Sequence, residues 1–138
     1  MREIKFRGKL SYANDWVEGS LVRDSFTNRY DIRDVARIYY PVAPETIGEF
    51  IGVKDKNGKD VFEGDIVFSA YIPESEQEAK EIAESNKKGD YGYIEWREGK
   101  FVIVWVDYKY EGEPYYENNF FEVVGNIYDN PELLEESK

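Results

Sequence analysis

The chain has 138 residues, 41% of them apolar, which suits one domain or two small ones sharing a core and speaks against intrinsic disorder. Its 29 acids against 18 bases leave a formal charge of -11, which works against phosphate backbones and anionic membranes, because binding those rests on Lys and Arg. With no Cys and no His, thiol nucleophiles, disulfides, thiolate zinc sites and imidazole acid–base chemistry are excluded. A metal site would have to use oxygen ligands.

Residues 2–7 set Arg2, Lys5 and Arg7 against Ile4 and Phe6, an alternation that predicts a half-buried strand. Residues 15–23 follow with Trp16, Val17, Leu21 and Val22 around Gly19. Residues 28–40 are rich in β-branched and aromatic side chains and stop at Pro41. Residues 47–53 read as a strand, and Asn57-Gly58 favours positive φ and a tight hairpin turn whose Lys and Asp neighbours keep the tip in water. Glu63-Gly64-Asp65 makes a second break before Ile66, Val67 and Phe68.

One surface helix is predicted near 75–88. Ser75 and Glu78 have capping-box spacing, Ala79, Ile82 and Ala83 form a thin apolar stripe, and Gly89 is the expected stop. Residues 91–106 predict a second hairpin about Arg97-Glu98-Gly99-Lys100. Its near-continuous apolar second arm, Phe101 to Val106, implies a strand covered on both faces. Residues 107–119 form a polar, Tyr-rich loop, 120–127 the last strand, and Asn130-Pro131 a short C-terminal helix before an acidic end expected to fray. No apolar run approaches the ~20 residues of a membrane helix, and the start, Met1 to Arg7, lacks a signal-peptide core. A cytoplasmic protein is expected.

Three stretches occur in order: Arg2-Glu3-Ile4-Lys5-Phe6-Arg7-Gly8 with Trp16-Val17-Glu18-Gly19 after it; Gly52-Val53-Lys54-Asp55-Lys56-Asn57-Gly58-Lys59 leading to Glu63-Gly64-Asp65; and Gly125-Asn126-Ile127-Tyr128-Asp129-Asn130-Pro131-Glu132-Leu133-Leu134. Together they resemble the YopX family of bacteriophage and prophage proteins over nearly the whole chain. Ile51 stands where that family more often has Thr. The resemblance implies a mainly β (α+β) protein of phage origin in the cytoplasm of a Gram-positive host, with a β-rich N-terminal region (1–62) and an SH3-like barrel with a C-terminal tail (63–138), the two sharing one core. It implies no catalytic residues, so no site is carried over from it, and fold alone does not give function.

Weighed for chemistry, Asp55 to Asp60 superficially resembles a Ca²⁺ loop. Its Gly falls at the fourth position, no Glu stands at the twelfth and two Lys intrude, so a plain turn is the better reading. Glu63 and Asp65 are read as a turn before they are read as an acid–base pair. Trp16, Trp96 and Trp105 are read as core before base-stacking platforms. The candidate interaction surface is Tyr108, Tyr110, Glu111, Glu113, Tyr115, Tyr116 and Glu117, because Tyr offers large area at low entropy cost and the acids would attract a basic partner. The alternative is a solvated loop whose aromatics pack back on the barrel. The N-terminal bases Arg2, Lys5, Arg7 and Lys9 are a conceivable anchor for that loop in a second copy.

The sequence thus points to a non-enzymatic accessory protein that binds another protein or itself, with no catalytic residue, cofactor or metal assigned, and nucleic acid and membrane not expected as partners. The alternatives are an acidic mimic of nucleic acid that occupies a host DNA-binding protein, and a carboxylate- or Mg²⁺-dependent hydrolase built on acids such as Glu63, Asp65 and Asp107.

Overall fold

The computed structural model describes residues 3–107, 110–114 and 120–135. Strands dominate, arranged in a six-stranded and a five-stranded sheet. The chain divides into two compact units, Met1–Val53 with Asp60–Glu63, and Lys54–Lys59 with Gly64–Lys138.

In the first unit, β1 (Phe6–Lys9), β2 (Trp16–Arg23), β3 (Tyr30–Arg33), β4 (Tyr39–Pro41), β5 (Gly48–Lys54) and β6 (Asp60–Phe62) form a sheet in the order β4-β3-β2-β1-β5-β6. Ile32, Val42, Phe50, Ile51, Val61 and Phe62 are buried, each side chain contributing on the order of 1.5–3 kcal/mol of apolar burial. Lys5 and Arg7 of the N-terminal stretch are engaged within the unit. Lys5 Nζ donates to Asp60 Oδ2 at 2.6 Å, and that bond is the main reason the lysine's pKa lies above its ordinary value. The Arg7 guanidinium lies over the rings of Trp16 (5.0 Å) and Phe62 (4.9 Å).

The stretch 28–40 is two strands, with a turn between β3 and β4. The Asp34 carboxylate accepts the N–H groups of Ala36 and Ile38, both at 3.0 Å, and the Asp34 carbonyl accepts the N–H of Arg37, whose φ is +65°. This local capture of backbone donors overrides the β propensity of Val35 and Ile38 and leaves both side chains in solvent.

In the second unit, β7 (Asp65–Ala70), β8 (Gly89–Arg97), β9 (Lys100–Trp105), β10 (Tyr110–Gly112) and β11 (Glu122–Asn126) form the sheet β10-β9-β8-β7-β11. Phe101 through Trp105 are all buried, so β9 is covered on both faces as its continuous apolar run predicts. β10 lies inside what reads in sequence as a loop. Among the described residues no ladder joins β10 to β11, so the sheet is open and the pairing does not close it into the barrel that the resemblance implies.

The helix α1 (Glu76–Glu84) starts at the predicted cap, where the Ser75 hydroxyl accepts the Glu78 N–H at 3.1 Å. It ends earlier than expected. Lys88 Nζ donates to the carbonyls of Ile82 and Ala83, closing the C-terminus at Ser85. Gly89 is not the stop but the first residue of β8. A Cβ there would lie 2.3 Å from the Ser69 carbonyl oxygen and 2.6 Å from the Phe68 ring, and this crowding is why the position is glycine. No residue of α1 is buried, consistent with its thin stripe. The predicted C-terminal helix is a single 3-10 turn, Pro131–Leu134.

Candidate interaction surface

The aromatic and acidic stretch chosen from the sequence is only partly within the described residues, since Tyr108, Tyr115, Tyr116 and Glu117 lie outside them. Tyr110 and Glu111 belong to β10, whose backbone pairs with β9 in the register Tyr110↔Trp105 and Glu111↔Val104. The acids are neutralised within the unit. Glu111 accepts from Arg97 at 3.1 Å, Glu113 lies 3.6 Å from Lys100 Nζ, and Asp107 is bonded by Lys87. Lys87 also faces Asp90 at 3.3 Å, and its pKa is raised, first by the bond to Asp107. Phe120 stacks on Trp105 at 6.2 Å, and Phe121 is fully buried. Trp105 is a core residue, whereas Trp96 is 51% exposed, its ring edge-on to Phe101.

Beside Lys87 lies a cavity of about 310 Å³, lined by Phe68, Tyr91, Val106 and Leu133 with Lys87 and Asp107 at its rim. The Phe68 and Tyr91 rings meet at 4.9 Å across the β7–β8 pair.

Sequence reasoning missed a second surface, in the first unit. An open groove of about 530 Å³ is bounded by residues 3–5, the middle of β2 and the turn after β3, with Ile4, Glu18, Arg33, Val35 and Arg37 among its lining. Ile4 and Val35 stand in solvent, and Ile38 and Tyr39 are exposed on the same turn and strand. The available signal was Asp34, which favours a turn wherever its carboxylate can reach N–H groups two and four residues on. Gly19 allows the close approach of the paired strands β2 and β3, since a Cβ there would stand 2.0 Å from the Arg33 carbonyl oxygen.

Of the residues weighed for chemistry, Asp55 has its carboxylate engaged by the backbone. Among the described residues, no group of three acids is placed to hold a metal ion. Asp55 is not on a wet tip: it is 6% exposed, and its carboxylate accepts the N–H groups of Asn57 and Lys59 at 2.9 Å and of Val123 at 2.8 Å. Burial pushes its pKa up, but the three N–H bonds outweigh that and hold it below the ordinary carboxylate range. Only Gly58 of the Asn-Gly pair has positive φ (+80°). Asp65 is buried at the start of β7, and Gly64, with φ +91°, donates its N–H to the Ile94 carbonyl and accepts from Ile127. In the closing segment the Asn130 side-chain oxygen accepts the Asn126 N–H at 3.2 Å, while Asn126 accepts from Tyr128 and Asp129. Gly125 leaves room for this, since a Cβ there would be 2.4 Å from that oxygen.

The three segments that carry the resemblance therefore contain turn-makers and close-approach residues. Solved structures share the fold. Protein EF1440 from Enterococcus faecalis is 23% identical, with a TM-score of 0.58 over 98% of this chain and 100% of that one. Protein yopX from Bacillus subtilis is 19% identical, with a TM-score of 0.53 over the full length of both. No curated protein matches the chain. The sequence pattern described as YopX protein matches residues 5–135, bearing out the resemblance read from the motifs, and the chain belongs to the YopX family.

Proposed function

We propose that this chain is a phage or prophage accessory protein that acts in the bacterial cytoplasm by binding another protein, without catalysing a reaction, and that its second unit is a relative of SH3-like barrels. The observation that carries the binding role is the cluster of exposed apolar side chains on one turn and strand of the first unit: Val35, Ile38 and Tyr39, with Ile4 across the groove. Exposed apolar area of this kind, rimmed by charged residues, marks protein contact surfaces. The tyrosines of 108–117 are a second contact surface, proposed on the sequence argument alone, because the described acids beside them are already paired. The test is capture of a partner from host lysate by the wild-type chain and by a Val35→Ser, Ile38→Ser, Tyr39→Ser variant. Loss of one specific protein in the variant supports the reading. An unchanged capture profile sinks the surface, and Tyr115→Ala with Tyr116→Ala then tests the other.

Charge distribution favours one further reading. The first unit holds 10 acids and 8 bases and the second 19 and 10, so nearly all of the excess negative charge lies in the second. An excess of acids of that kind is a first requirement of a nucleic-acid mimic. Capture of a host DNA-binding protein that weakens steeply with salt would support it, and capture indifferent to salt would count against it.

A further inference from the structure

We propose that Asn57-Gly58 is a self-modification site: a point of spontaneous deamidation that the closed turn keeps silent, and that loosens the turn irreversibly once it reacts. This goes beyond the protein-binding reading and does not depend on it.

The chemistry is intramolecular. The Gly58 backbone nitrogen gives up its proton to hydroxide or water and attacks the Asn57 side-chain carbonyl carbon. A C–N bond forms there, the bond to the side-chain amide nitrogen breaks, and ammonia leaves. The product is a cyclic succinimide. Water then adds to either ring carbonyl and opens the ring, leaving aspartate or its β-linked isomer at position 57. Water is the only co-reactant. Glycine on the C-terminal side is the favourable case, because it has no Cβ to obstruct ring closure. Asn57-Gly58 is the one Asn-Gly pair in the sequence, both residues are exposed, and a Cβ at Gly58 would meet nothing within 4 Å.

Hydrogen bonds within the turn oppose each step. The attacking nitrogen is occupied, since the Gly58 N–H donates to the Asp55 carbonyl at 3.0 Å. The backbone on both sides is pinned to the same residue. The N–H groups of Asn57 and Lys59 donate to Asp55 Oδ1 at 2.9 Å, and the Asp55 N–H donates to the Lys59 carbonyl at 2.8 Å. The leaving nitrogen is held as well, because Asn57 Nδ2 donates to Glu122 Oε2 at 3.4 Å. Reaction therefore waits for the turn to open, and its rate in the folded chain is the intrinsic rate multiplied by the open fraction.

The same neighbours set the consequence. A carboxylate at position 57 faces Glu122 as a like charge where the amide had donated to it, and stands in a turn built on the Asp55 carboxylate. The β-linked isomer also lengthens the main chain before Gly58 and displaces the Lys59 N–H from Asp55 Oδ1. Because Asp55 Oδ2 accepts the Val123 N–H at 2.8 Å, the disturbance reaches β11.

The test is incubation of the full chain at mildly alkaline pH, followed by peptide mapping in which fragmentation places the change at residue 57. Wild type is compared folded and in urea. Two variants are compared under folding conditions, Asp55→Asn and Gly89→Ala, the second being destabilised away from the turn. Position 57 should react readily in urea and at least about tenfold more slowly in the folded chain. Asp55→Asn should recover much of that difference, and Gly89→Ala should not. As a measurement free of the reaction itself, Asn57→Asp reproduces one product. Its Val123 amide should exchange with solvent at least about tenfold faster than in wild type, and that of Asn57→Gln should not.

Failure of the unfolded chain to react at position 57 overturns the site. Equal rates for folded and unfolded wild type overturn the gate. Equal acceleration by Gly89→Ala and Asp55→Asn overturns it too, because opening is then global unfolding and not release of the turn. Unchanged Val123 exchange in Asn57→Asp overturns the loosening of β11.

Discussion

Replacing Asp55 should destabilise the second unit by an amount far beyond that of an exposed turn residue. Its carboxylate accepts three backbone N–H groups, from Asn57, Lys59 and Val123, and is nearly buried. Asp55→Ala leaves three donors without an acceptor. At about 1–3 kcal/mol each, and allowing for water re-entering the turn, the loss should be about 3–5 kcal/mol. Asp55→Asn keeps one oxygen for the turn but turns an amide donor toward the Val123 N–H, and should cost about 1–3 kcal/mol. The folded pKa of Asp55 is depressed, so its contribution is fully present above the unfolded value of about 3.9 and disappears as pH falls through the folded value. The gap between wild type and Asp55→Asn should therefore be large at neutral pH and shrink below about pH 4. Urea unfolding followed by tryptophan fluorescence, with Trp96 and Trp105 reporting on this unit, measures both effects, and Lys56→Ala at the exposed neighbouring position is the control. If Asp55→Ala cost no more than Lys56→Ala, or if the Asn gap did not depend on pH, the assignment of Asp55 as a backbone clasp would be wrong.

Other substitutions separate close packing from surface decoration. Gly89→Ala would push a methyl group into the Ser69 carbonyl and the Phe68 ring, so a loss of about 2–4 kcal/mol is expected in the same unfolding assay. Ser75→Ala removes the cap of an exposed helix and should cost about 1 kcal/mol, read as lost helical circular dichroism or a lower midpoint. Arg97→Gln frees Glu111 and Glu95 from an exposed ion-pair network and should move the unfolding midpoint only slightly, with that small difference vanishing in high salt. Gly125→Ala would collide with the Asn130 side chain and should lower the midpoint clearly more than Val124→Ala at the exposed neighbouring position.

The family was legible in the chain because its signature consists of residues that local geometry demands. Gly64 and Gly58 take positive φ, Gly125 makes room for Asn130, and Asn126 and Asn130 hold the closing turn with their own side chains. None of these needs a distant partner to be recognised. The helix cap at Ser75, the doubly covered β9 and the short C-terminal turn were readable for the same reason, since each rests on spacing within a few residues.

Less legible were features in which one element is completed by another. Arg97 and Lys100 neutralise Glu111 and Glu113 only because β8, β9 and β10 are adjacent in the sheet, and linear spacing gives no sign of it. Gly89 looks like a helix stop until Phe68 and Ser69 are brought beside it, and Asp55 looks like a solvated turn residue until Val123 arrives 68 positions later. The groove of the first unit likewise assembles residues 3–5, 18–20 and 33–37 from three stretches. Composition and short-range pattern determined the class, the family and the turns, because those depend on local backbone preference and on burial of a periodic apolar set. Which charges are paired and which glycines are crowded were decided only by the tertiary structure, because electrostatic pairing and steric contact depend on distance in space and not on position along the chain.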